Sequence, residues 1–146
     1  MFENKRKFFT IAALLAVMRA LIFINPSEKN YDNELENAVK SISSEQVNIN
    51  SVIPFEWDAI YSFPAYTDKN TIEKEIGIKS RKIMANDINE GMVHLIFVND
   101  DEVLTTILGY SDNLGYDIVF GHKITYDEDA VFNVVKENNI TRLEKI

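Results

Sequence analysis

The sequence predicts an α+β protein: an N-terminal membrane helix followed by a small antiparallel β-sheet domain with one or two short helices. Three observations carry that prediction. The basic cluster Lys5, Arg6 and Lys7 precedes a mostly apolar run over residues 8–24. In residues 93–98, Val93, Leu95 and Phe97 alternate with His94, Ile96 and Val98, and the polar turn Asn99-Asp100-Asp101-Glu102 leads into a second apolar run. Residues 69–76 are bracketed by Thr67-Asp68, either of which can cap a helix, and by Gly77, which can end one.

The elements follow in chain order. At about 1.5 Å per residue, residues 8–24 reach roughly 25 Å, close to the thickness of a bilayer's hydrocarbon. Thr10 and Arg19 interrupt the run and Pro26 closes it. A charge at the bilayer centre costs about 3 kcal/mol, but Arg19 sits near the outer end, where its stem reaches the interface. The basic flank stays in the cytoplasm, so the expectation is a single-pass protein at the cell membrane. Its N-terminus is cytoplasmic, its C-terminal domain lies outside, and residues 8–24 are in the lipid bilayer. Met18-Arg19-Ala20 and Asn25-Pro26-Ser27 depart from the Ala-x-Ala cleavage pattern. An uncleaved signal-anchor is therefore expected, with a secreted form if residues 1–26 are removed. A lipid-modified cysteine is excluded because the chain has no cysteine.

Residues 27–52 read as a polar, partly helical connector, with Leu35, Ala38, Val39 and Ile42 as a thin apolar stripe. Residues 53–146 read as the extracytoplasmic α+β domain. Within it, residues 53–66 carry Phe55, Trp57, Tyr61, Phe63 and Tyr66 between Pro54 and Pro64. Trp57, Ala59, Tyr61 and Phe63 share a strand parity, so one bulky face is expected. The helix over 69–76 turns Ile72 and Ile76 to the core. The hairpin over 92–110, with a loop near four residues, is expected at the sheet's centre. Residues 111–115 form a turn, 116–120 a short strand, and 124–126 a further pairing segment. Residues 131–137 form a strand, Asn138-Asn139 a turn, and 140–146 a charged edge strand. The expected assembly is one antiparallel sheet of five or six strands.

Charge narrows the function classes. Of the 23 acidic residues only Glu3 precedes residue 27, whereas four of the 15 basic ones do. The remainder therefore carries 22 acidic against 11 basic residues, a formal charge of −11. Such a surface disfavours nucleic acid and favours basic partners. No catalytic, metal-binding or cofactor-binding residues are assigned. His94 and His122 are 28 positions apart and fit no close-spaced ligand pattern; there is no Gly-x-Ser-x-Gly, and the acidic turns at 100–102 and 127–129 match no calcium loop. The aromatic residues Trp57, Tyr61 and Tyr66, with Tyr110, Asn113 and Tyr116 in the glycine-bounded loop 109–116, are the candidate recognition surface.

The segments Pro54-Phe55-Glu56-Trp57-Asp58, Tyr61-Ser62-Phe63-Pro64-Ala65-Tyr66-Thr67 and Leu95-Ile96-Phe97-Val98 resemble those of small uncharacterised secreted or membrane-tethered, lipoprotein-like proteins of low-GC Gram-positive bacteria. The resemblance covers roughly residues 53–146 and implies a single domain at the envelope, with no activity to transfer. This chain departs from the lipoprotein form in lacking the cysteine. The functional expectation is a membrane-anchored interaction or sensing module without catalytic activity, whose partner is an envelope protein or an exported peptide. The alternatives are an envelope-associated hydrolase using carboxylate or histidine residues, and an accessory or immunity-type subunit of a membrane system.

Overall fold

Helix α1, Tyr31–Lys40, buries the stripe that its sequence spacing announces: Leu35 and Val39 are wholly inaccessible. Asp32 and Glu34 in its first turn and Lys40 in its last complement the helix dipole. The structure is a computed structural model that describes residues 30–85 and 87–146. The expected membrane helix over residues 8–24 lies outside the described residues. Among those described, no helix is long and apolar enough to cross a membrane.

Strand β1, Gln46–Asn48, follows α1, and the single turn α2, Ile49–Val52, follows β1. The Asn48 side chain caps that turn by accepting from the Asn50 amide at 2.8 Å. Ile49 and Val52 are buried with Leu35 and Val39. Residues 31–52 of the stretch expected as a connector thus belong to the unit Tyr31–Ile146 and contribute to its core. Its stripe is thin because a few fully buried residues, not a broad face, fasten it.

Strand β2 covers Ala59–Ser62, shorter than the expected 53–66. Ala59, Tyr61 and Phe63 share one apolar cluster, as their parity requires. Trp57 joins the other cluster, because it precedes the strand in irregular backbone and alternation does not extend to it. Helix α3, Lys69–Ile76, agrees with expectation at both ends. Asp68 accepts from the Thr71 amide and hydroxyl at 3.1 and 2.7 Å, which holds its carboxyl below the usual range. Gly77 closes the helix at φ +80°, a conformation that costs a side-chain-bearing residue strain.

Strands β3, Met92–Asn99, and β4, Glu102–Tyr110, form the expected hairpin. Its loop has two residues, not four: Asp100 and Asp101 both take left-handed backbone (φ 48° and 59°), which pairs Asn99 with Glu102. The turn expected at 111–115 is a helical turn, α4, Ser111–Leu114. Strand β5 is Tyr116–Val119, β6 is Lys123–Thr125, and a 3₁₀ turn, Tyr126–Glu128, leads to β7, Val131–Glu137. Asn138 and Asn139, again left-handed, reverse the chain into β8, Ile140–Lys145.

The α+β class holds, but the strands form two small sheets where one was expected. One has the order β1-β7-β8-β5 and the other β4-β3-β2-β6. All pairs are antiparallel except β5 with β8, which are parallel. Strand β8 is not the expected edge. It lies between β7 and β5 because its charges share one face: Arg142 and Glu144 are exposed, whereas Thr141 and Leu143 are buried. Phe97, Ile107, Phe132, Ile118, Leu143 and Trp57 belong to the main core with α1 and α2. A second cluster on the opposite side of β3 joins Ile96 and Val98 to Ile72 of α3 and to Ile83.

Candidate functional site

The two acidic turns, 27 residues apart in sequence, are brought to one end of the β4-β3-β2-β6 sheet. Strand β2 is the common neighbour: Ala59 is registered with Val98 on one side and Thr125 on the other. Asp58, just before β2, ties both turns. Its amide donates to the Val98 carbonyl at 2.8 Å, its carboxylate accepts from the Asp100 amide at 2.7 Å, and its carbonyl accepts from the Tyr126 amide at 2.9 Å. Glu56, Asp58, Asp100, Asp101, Asp127, Glu128 and Asp129, on loops and turns, and Glu102, the first residue of β4, therefore lie at the same end of the sheet, and all are exposed.

Part of this charge is matched. Lys82 reaches Glu102 at 3.0 Å, and Lys145 reaches Glu128 at 2.7 Å. The Lys145 hydrogen bond, assisted by the Thr125 amide, holds the Glu128 carboxyl below its ordinary range. Asp129 accepts from the Asn48 amide group at 2.6 Å, and Asn50 donates to the Tyr126 carbonyl at 2.9 Å, so β1 and α2 brace the 3₁₀ turn. Glu56, Asp101 and Asp127 have no ion-pair partner among the described residues. Tyr126 stands half exposed among these acids, its ring edge-on to Trp57 at 5.5 Å. Among the described residues, no group of three or more carboxylates and histidines is placed to hold a metal ion.

The six residues expected as a recognition surface divide. Trp57, Tyr61 and Tyr116 are core, at 3%, 8% and 1% exposure. Burial, reinforced by Asp32 and Glu36, pushes the Tyr116 hydroxyl well above its ordinary pKa. Tyr61 stacks on Phe63 at 6.3 Å and carries the Lys123 ammonium 5.1 Å above its ring. Tyr66, Tyr110 and Asn113 are exposed, Tyr66 at 73%. The loop 109–116 serves as the crossover from one sheet to the other: Gly115, at φ +75°, ends α4 while its carbonyl accepts from the Thr141 amide at 3.1 Å.

The histidines differ in setting. His122 is exposed, with Nε2 2.6 Å from Glu75 of α3 and its ring edge-on to Phe63 at 5.0 Å. His94 is buried, its Nε2 3.0 Å from the Met84 carbonyl, and burial draws its pKa below the ordinary value. Phe63 touches both rings, so the histidines are neighbours across it despite their separation in sequence. Sequence reasoning missed Tyr126 and Asp58 as organisers of the acidic end. The signal was present only as strand register, which no local spacing displays.

No family model, curated protein or solved structure significantly matches the chain.

Proposed function

We propose that the chain is a membrane-anchored, extracytoplasmic interaction or sensing module without catalytic activity, and that its acidic end receives a basic partner, an envelope protein or exported peptide. The observation supporting this reading is the convergence of both acidic turns around Asp58 and the half-exposed Tyr126. Carboxylates fixed on short turns create a concentrated negative potential, which speeds encounter with cations and selects against anions. An exposed tyrosine ring among them adds a face on which an ammonium or guanidinium can rest. An accessory or immunity-type subunit would use the same surface to hold its partner.

The test is titration of the full chain with oligolysine at several salt concentrations, alongside the triple variant Glu56→Gln, Asp101→Asn, Asp127→Asn. A second triple variant, Glu34→Gln, Glu45→Gln, Glu137→Gln, removes equal charge elsewhere. The expected result is about tenfold weaker binding for the first variant and much less for the second. Equal losses in both would reduce the binding to net charge and remove the acidic end from the proposal.

The His122–Glu75 contact supports a second reading, an envelope-associated hydrolase. Glu75 would orient the imidazole and leave Nδ1 as a base. Turnover by the purified protein that disappears in His122→Gln and in Glu75→Gln would establish it.

A further inference from the structure

The residues 78–85 that follow α3 have no helix or strand of their own; Ile83 within them is buried in the cluster that holds Val103, Ile96 and Ile72, and Ile78 and Ala85 pack against that cluster. Two side chains from the sheet grip the backbone there. The Thr106 hydroxyl donates to the Lys82 carbonyl at 2.6 Å and accepts from the Met84 amide at 3.5 Å. His94 holds the Met84 carbonyl at 3.0 Å. A carbonyl only accepts, so the His94 proton resides on Nε2 and Nδ1 is the bare nitrogen. Nδ1 is buried and has no hydrogen-bond partner among the described residues.

A second proton on this ring would occupy Nδ1 with nothing to receive it. His94 is 2% exposed, so the resulting cation would be sealed from water. Among the described residues its surroundings offer no counter-charge, and although the Met84 carbonyl favours the protonated ring, burial outweighs it. Phe63, just past β2, presents its ring at 6.1 Å, and β4 places Leu108 opposite His94. The Lys82 ammonium turns outward to Glu102. From α3, Glu73 accepts from the Ser80 amide and Glu75 engages His122, whose imidazole packs against the Phe63 ring. Tyr61 stacks on Phe63. Hydrating the protonated ring requires the covering segment to lift.

We propose that His94 is an acid-sensitive clasp: on protonation it releases Met84, residues 78–85 detach from the sheet, and the apolar face of Tyr61, Phe63, Ile96 and Val98 is uncovered. The direction follows from linkage. The closed form binds the proton more weakly than the open form, so the clasp is at full strength above the ordinary histidine value of about 6.5. It weakens as pH falls below that value toward the lower pKa of the closed form. This device does not depend on what binds the acidic end.

The experiment is amide exchange on the full chain at about pH 7.5 and about pH 5, with rates corrected for the intrinsic chemistry. The Met84 amide should lose at least about fivefold in protection at the lower pH, and His94→Gln, which keeps a donor for the carbonyl without titrating, should not. An equal loss in His94→Gln, or no loss in the wild type, overturns the clasp. Should His94→Gln fail to fold, the wild-type imidazole resonances decide. Loss of Met84 protection that tracks the titration of His94 supports the proposal. Titration beneath a still-protected Met84 amide, or no titration down to about pH 5, overturns it.

Discussion

Trp57 shows how one side chain's role depends on backbone that its sequence does not display. Residue types alone allow either a core indole or an exposed aromatic anchor. The bend before β2 turns the ring into the main core, against Tyr126, and leaves Nε1 buried without a partner among the described residues. Its apolar burial outweighs that unsatisfied donor. Trp57→Ala should therefore destabilise the protein by about 3–5 kcal/mol in urea unfolding, because lost transfer energy and an incompletely collapsed cavity add. A loss below about 1 kcal/mol would show that the ring contributes little packing. Trp57→Phe, which keeps an aromatic ring and removes the unpartnered N–H, should cost less than the alanine change.

At the scale of elements, α1 and α2 carry more of the core than their composition suggests. Leu35, Val39, Ile49 and Val52 are buried with Phe97, Phe132 and Leu143, and β1 adds an outer strand to β7. A chain beginning at residue 53 would open that core on one side and leave β7 without its neighbour. It should lack a cooperative unfolding transition, whereas a chain beginning at residue 30 should unfold in a single step; both are read by circular dichroism during heating. A sharp, undiminished transition in the shorter chain would show that these elements are dispensable.

The same elements show what the sequence makes legible. The β3–β4 hairpin was readable from two apolar runs flanking the polar turn 99–102, and α3 from its Asp68 cap and Gly77 stop, because those signals are local. The sheet partition was not. Strand β5 pairs in parallel with β8, across more than 20 residues, and nothing between Tyr116 and Ile140 encodes that pairing locally. The charges of β8 suggested an edge, since an exposed edge and the solvated face of an inner strand carry the same residues. The candidate surface divided for a related reason. Large aromatics are equally at home in a core and at an interface; Tyr61 lies in β2, whereas Tyr66 sits in a left-handed turn beyond it.

At the scale of the whole molecule, charge and hydropathy are partitioned along the chain. Residues 1–26 hold four basic residues and one acidic, with an apolar run between the basic cluster and Pro26, while the remainder carries a net −11. This partition motivates a topological prediction. Basic residues resist translocation, so Lys5, Arg6 and Lys7 should remain in the cytoplasm while the acidic domain crosses. A strongly acidic domain is also repelled by anionic lipid headgroups, so it should stand away from the membrane and be open to attack. Protease added to intact protoplasts should therefore degrade the domain, while untreated protein sediments with the membranes and resists extraction by high salt. Replacing Lys5, Arg6 and Lys7 together by glutamine should weaken the orientation signal and produce a protease-protected fraction. Full protection of the wild-type domain in intact protoplasts, with digestion only after lysis, would defeat the outward topology. Recovery of the domain from the medium with its first residues removed would instead establish cleavage and a secreted form.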